Sequence, residues 1–503
     1  MSVWLGGETV ARGVLRSSKS SAGDSAGLVV SVLGAGAALW IGHTSMVSVG
    51  VAVMVLALGA LVCVPWDMLR DRTGGLSLRG WVGTRVGYLW RAAQGTTTFS
   101  PTPDRLLPAA IGSLTSTDEL VGEQVIGVTE PAGAADLGRG GGRYMFTIVE
   151  CQGDRSSGAR MDGTRWAALL EYLGSDVIPV SHVSQIASIT DWDPTDHVWL
   201  TQQDLERVEK HDGSLIGSYA EVIDQVASMA ADRRTWVVLR FPVSVVLRER
   251  GSDEDSLRAT AADYTAAVIE RAKRLGLRMR PLDARHHASL FRHLMDPAVS
   301  PDDTRALGGG TDYWVGAFPA FVTSSDRRSL IVDGVTGRRW MSVWEVPAWT
   351  IEAGWLPVDF MYPAVTHLSG RLHRAFVVTC ELVPTRRARA RAREDVTSDA
   401  AAATSVKGVS DGTNELQLNG SQVRLEDLKR GRAVGVSWSM AVAFHSDGAK
   451  EHVDAARQME AALGDCQIAA PARLRYRQDA ALGLVMPLAR GWRSTMFERM
   501  GLR

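Results

Sequence analysis

Gly27–Ile41 (GLVVSVLGAGAALWI) and Met46–Val64 (MVSVGVAVMVLALGALVCV) are two apolar runs without a charged side chain, separated only by Gly42-His43-Thr44-Ser45. The second approaches the roughly 20 residues that an α-helix needs to cross a bilayer core. So short a join makes adjacent helices antiparallel, and the spacing predicts a two-helix transmembrane hairpin over 27–64. Arg12, Arg16 and Lys19 precede the runs, Arg70, Arg72, Arg79 and Arg85 follow them, and the join carries no Lys or Arg. The positive-inside rule then places both termini in the cytoplasm. The expectation is a multi-pass plasma-membrane protein whose first partner is the lipid bilayer, with Trp66, Trp81 and Trp90 at the membrane interface.

Working outward, Leu76–Trp90 spaces Leu78, Trp81, Val82, Val86 and Leu89 as a helix does, with arginines elsewhere on the wheel. This predicts either an interfacial helix or an amphipathic connector. The remainder alternates strand-like and helix-like segments. Residues 122–151 read as a hairpin around the Gly-rich GRGGGR, 166–173 as a helix, and 198–209 and 219–230 as two more. A strand is expected over 235–246, a long helix over 254–275, and a strand in LRMRPLD. RSLIVDGVTGRRWMSVWEVP reads as two strands turning at Asp333-Gly334 or Thr336-Gly337, amid Trp340, Trp344, Trp349 and Trp355. Such mixed order defines an α+β fold: the amino-terminal transmembrane hairpin, then a mixed α/β cytoplasmic region of two subdomains. The expected divisions are 1–26, the hairpin 27–64, a juxtamembrane linker 65–104, α+β regions over 105–320 and 321–490, and a tail 491–503.

The 55 Lys and Arg against 56 Asp and Glu exclude a general polyanion-attracting field. Cys63, Cys151, Cys380 and Cys466 are far apart and form no CxxC pair, which argues against a zinc ribbon and fits a reducing compartment. No phosphate-binding G-x-x-x-x-G-K-[ST], no G-x-S-x-G and no H-E-x-x-H occurs. His286, His287 and His293 lack a nearby acidic ligand, and Asp191, Asp193 and Asp196 in DWDPTD read as an acidic turn or a divalent-ion site. No catalytic residue, metal site or cofactor is expected. The one cluster that stands out is Arg386, Arg387, Arg389, Arg391 and Arg393 in TRRARARARED, a basic helical face suited to a protein or nucleic-acid partner, or simply solvated. The polar stretch after it, SDAAAATSVKGVSDGTN, is expected to be mobile.

The last third then shows a strand at 372–384, the basic helical segment, LEDLKRGRAVG, a strand at 436–446, a helix through Ala455 and Leu463, and a closing Q-x-x-A-x-x-x-x-x-P-L at Gln478, Ala481, Pro487 and Leu488. This order resembles the non-catalytic amino-terminal region of the VirB/TraC/TrbE class of conjugation ATPases. The apolar hairpin resembles the PrgI-like membrane component of the same machines, and the whole resembles actinobacterial integral membrane proteins of conjugative elements. That resemblance implies a non-enzymatic inner-membrane subunit of a type IV secretion or conjugation apparatus. Its implied partners are a separate P-loop conjugation ATPase and other secretion-channel subunits, and its implied assembly includes an oligomer. The alternatives are an EccE-like membrane component of type VII secretion, and a membrane-tethered metal-dependent transferase using DWDPTD.

Overall fold

The computed structural model describes residues 2–5, 49, 52–54 and, outside a series of breaks of which the longest are 132–143, 153–162 and 192–216, residues 78–490. After a first helix α1 (Leu78–Ala93) come β1 (Thr98–Phe99), β2 (Gly112–Thr115), β3 (Gly127–Pro131) and β4 (Tyr144–Gln152). Then follow α2 (Gly163–Leu173), β5 (His182–Asp191), β6 (Ala231–Pro242), α3 (Glu254–Arg274), β7 (Arg278–Pro281) and α4 (Ala284–Met295). The second half contains β8 (Phe321–Thr323), β9 (Leu330–Gly334), β10 (Gly337–Val346), β11 (Arg374–Val383), α5 (Thr385–Ser405) and α6 (Thr413–Arg430). It closes with β12 (Gly435–Ser446), α7 (Ala449–Asp465) and α8 (Gln478–Val485).

These twelve strands lie in one antiparallel sheet, ordered β2-β3-β4-β6-β5-β11-β12-β10-β9-β8-β1, with β7 pairing β4 beyond the end of β3, while Ser2–Leu5 pairs with Gly354–Pro357 and Leu120–Val121 with Gln124–Val125 in two separate two-stranded ribbons. That order has an internal symmetry. Moving inward from one edge, β2, β3 and β4 are consecutive, β5 skips one place to reach the centre, and β6 returns to fill the gap before α3. From the other side β8, β9 and β10 are consecutive, β11 skips to the centre, and β12 fills the gap before α7. The halves meet at β5 and β11, where Ala187 faces Phe376 and Ser184 faces Thr379. Five strands and one helix are thus laid down twice about an approximate two-fold axis perpendicular to the sheet.

Side-chain alternation divides the core accordingly. One face carries a continuous core through Phe146, Ile186, Trp236, Val238, Val343 and Ala443, covered by α4, α8 and the 3-10 turns at Arg305–Leu307 and Tyr313–Ala317. On the other face, α2 and α3 cover one cluster around Val183, Leu239 and Phe241, and α7 covers a second around Phe376, Met440 and Phe444. Local chemistry fixes the helix ends. Asp253 accepts the Ser256 N–H at 3.0 Å as the N-cap of α3, and Gly276 closes it at φ 76°, in the left-handed region where a Cβ is costly. Asp283 likewise caps α4 by accepting the His286 N–H at 2.9 Å.

The fold corrects the expectation of a transmembrane hairpin and two subdomains. Among the described residues no helix is long and apolar enough to cross a membrane: α3 and α5 reach 21 residues each but carry charged side chains along them. The expected multi-pass location with both termini cytoplasmic is corrected on the same ground. Of the two apolar runs, only residues 49 and 52–54 are described; the rest of 27–64 lies outside the described residues. In place of two subdomains, strands from both sides of residue 320 share the one sheet, because β5 and β11 pair along eight residues each.

Candidate functional site

The two-fold arrangement brings four strand ends together at one end of the sheet centre. β5 finishes at Asp191, β11 begins at Arg374, β12 finishes at Ser446 and β10 begins at Gly337, with Arg374 opposite both Ile189 and Phe444, and Trp340 opposite Ser446. The end of α4 delivers Arg292, His293 and Asp296 to this place. Asp296 is fully buried, and its Oδ2 accepts the Val335 N–H at 2.8 Å and Arg292 Nη2 at 3.2 Å. Arg339 Nε stands 4.0 Å from Oδ1, and Arg339 Nη2 reaches Asp447 at 3.2 Å. The carboxylate therefore ties α4 to the β9–β10 turn. A Cβ on Gly334 would sit 2.8 Å from Asp296 Oδ1, so the turn needs glycine there for close approach.

Histidines fill the rest of the cluster. His293 Nε2 lies 2.9 Å from Ser188 Oγ, and its Nδ1 is 2.8 Å from the Val299 carbonyl. The His445 N–H donates to the His373 carbonyl at 3.0 Å, and His373 Nε2 is 4.0 Å from Asp191. Burial, reinforced by Arg339 and the neighbouring rings, pushes His373 down to about 4 and His445 well below the ordinary imidazole value. Burial also lowers His293. At neutral pH these rings are uncharged. Removing Asp296 takes the buried carboxylate from Arg292, leaves Arg339 with Asp447 alone, and leaves the Val335 N–H without its acceptor. Asp296→Ala is expected to cost roughly 3–5 kcal/mol of stability, read as a fall in the urea midpoint.

Ser188 with His293 has the contact of a nucleophile and its base, but both are buried and the second ring nitrogen meets a backbone carbonyl instead of a carboxylate. Ser342 and His452 make the same contact at 2.7 Å in another buried setting, with Ser446 Oγ on the other ring nitrogen at 2.9 Å. Burial pushes the Cys151 and Cys380 thiols up to about 12 and raises Cys466, so none is a ready thiolate. No group of three or more metal-ligating side chains occurs among the described residues. His286 pairs with its own cap Asp283 at 2.8 Å, and His287 is buried against Phe146, so neither converges with His293. Asp191 ends β5 beside His373, while Asp193 and Asp196 lie outside the described residues.

The arginine run forms the start of α5, where Ala388 and Ala392 face Leu428 of α6. Arg389 Nε donates to the Leu428 carbonyl at 3.0 Å, whereas Arg386, Arg387, Arg391 and Arg393 are exposed. The helix continues through Ser405, into the stretch expected to be mobile; 406–412 lie outside the described residues. Trp90 is exposed on α1 together with Val82, Val86 and Leu89, while Arg91 fixes that helix to Asp479 at 2.9 Å. Trp81 lies on α1, and Trp66 lies outside the described residues. Trp344 is buried against Phe444.

Gln478, the first residue of the Q-x-x-A-x-x-x-x-x-P-L pattern, has a packing role. β9 stops opposite Met341, and Gln478 takes over the freed edge of β10: Oε1 accepts the Val343 N–H at 2.8 Å and Nε2 donates to the Val343 carbonyl at 3.0 Å. Gln478→Leu strands both backbone groups and is expected to lower stability by about 2–4 kcal/mol, measurable as a drop in Tm. The sequence gives little warning of the polar cluster. Its one local signal is the i,i+4 spacing of Arg292 and Asp296, and its other members come from distant strands.

The geometry defines a broad antiparallel sheet with a buried polar seam where its two halves meet. A family model described as "Putative type VII ESX secretion system translocon, EccE" matches residues 229–316. Over that span the chain is similar to a secretion-system component. The matched segment runs from just before β6 through α3, β7, α4 and the first 3-10 turn into the second, and so includes Arg292, His293 and Asp296. None of the curated proteins matches the chain.

Proposed function

We propose that this chain is a non-enzymatic subunit of a type VII-like secretion translocon, serving as a rigid platform on which other subunits assemble. The observation that carries the reading is the EccE match over 229–316. The structure lends it support: the matched segment is built into the middle of the sheet and locked to the second half through Asp296 and Arg339. A secretion-system complex supplies its partners, and energy conversion falls to a separate P-loop ATPase.

Affinity purification of the tagged full chain from its native cells tests this. Type VII subunits and small WXG-type substrates are expected to co-purify. Recovery of a conjugation ATPase and relaxase in their place would move the chain to the type IV class. ATP hydrolysis by the purified chain alone would remove the non-enzymatic reading.

A further inference from the structure

We infer that the exposed start of α5 is a docking surface for a carboxylate-rich segment of a partner protein. The α5–α6 pair is held together from within: Ala388, Ala392 and Leu428 pack, Asp399 accepts from Ser421, and Asp395 pairs with Arg424. Arg389 is spent on the Leu428 carbonyl at the last turn of α6. Arg386, Arg387 and Arg393 remain exposed on the arc away from the buried alanines with Arg391 exposed at its edge, and none makes an ion pair with another described residue. The antiparallel arrangement brings the last turn of α6 to the same end and adds exposed Lys429, while Arg430 is turned back onto Glu426. Like charges at i,i+4, as at Arg387 and Arg391, disfavour a helix by a few tenths of a kcal/mol. Carboxylates placed over them reverse that sign.

The surroundings select the partner class. The α5 segment, TRRARARAREDVTSDAAAATS, contains no aromatic residue on which a base could stack. Exposed Glu394 sits between Arg387 and Arg386 on the helical wheel, a mixed pattern that opposes a row of phosphates but accepts a protein segment bearing one lysine among its acids. The surface is independent of which secretion class the chain serves.

The test is fluorescence anisotropy with the full chain and three probes: a labelled Glu-rich helical peptide, a labelled 20-nucleotide single strand, and vesicles containing phosphatidylglycerol. The peptide is expected to bind at low salt and to weaken as salt rises. Arg386→Glu, Arg387→Glu, Arg391→Glu and Arg393→Glu combined are expected to weaken it at least about tenfold, with four Arg→Lys changes retaining most binding. If the Glu variant loses its circular dichroism signal, the corresponding Arg→Gln variant is used in its place. No peptide binding by the unaltered chain, equal binding by a folded variant, or tighter arginine-dependent binding of the oligonucleotide or vesicles would each overturn the inference.

Discussion

Acidification from pH 6.5 to pH 4 is expected to strip the protein of most of its stability. Burial lowers His287 to about 3, and His373 and His452 to about 4, from an ordinary value of 6.5. All three are depressed in the folded state, so the unfolded chain binds more protons throughout this interval. Their contribution is fully present above pH 6.5 and is lost as pH falls toward the folded values. At about 1.4 kcal/mol per pH unit for each ring, the loss by pH 4 is roughly 10 kcal/mol. That is comparable to the whole stability of a typical native fold. Burial moves His182, His293 and His445 in the same direction. Urea unfolding followed by circular dichroism at half-unit pH steps measures it, and a midpoint that stays level from pH 6.5 to 4.5 would contradict it.

The locally determined elements were legible. The helix expected over 254–275 is α3 at Glu254–Arg274, because Asp253 and Gly276 bracket an amphipathic run. The turn expected near Asp333-Gly334 or Thr336-Gly337 lies between them, with Gly334 paired to Gly337. The strand expected over 235–246 is shifted to Ala231–Pro242: Arg233 and Arg234 look like loop residues, yet they pair with Ile189 and Ser188 on β5. Arg234 also pairs with Asp232 of the same strand and with Asp302, so its charge is met.

The doubled architecture was not legible, and the reason is chemical. Equivalent central strands are filled by different means: β6 puts Trp236 and Val238 into the continuous core, whereas β12 puts Ala441 and Ala443 there. The small residues on β12 leave room for α8, whose Ala481, Leu482 and Val485 enter the same core. Equivalent positions thus carry side chains of different size, so no repeat survives in the letters. The polar cluster was hidden for a related reason. Its histidines are scattered through otherwise apolar segments, and only the pairing of β5 with β11 and β11 with β12 brings them within reach.

Glu345→Gln is expected to stabilise the protein on the alkaline side by roughly 4–5 kcal/mol. Glu345 lies within β10 opposite Ala441, and burial raises its carboxyl from 4.5 to about 8 despite the opposing pull of Arg477. A raised acid is protonated in the folded chain while its unfolded counterpart is ionised, so stability is fully present below pH 4.5 and falls as pH rises to about 8. The shift of about 3.5 units corresponds to roughly 5 kcal/mol. Glutamine keeps the shape of the neutral acid and has no proton to lose. At pH 8.5 the variant should therefore unfold at higher urea than the parent, with the gap closing toward pH 4.5. Equal midpoints at pH 8.5 would show that Glu345 is solvated or paired when ionised. Because the histidines lose stability below pH 6.5 and Glu345 loses it above 4.5, His287, His373 and His452 together outweigh the single acid between these values. Between pH 6.5 and about 8 Glu345 sets the slope among these groups, which places the stability maximum of the parent near pH 6.5 and moves that of the variant toward the alkaline side.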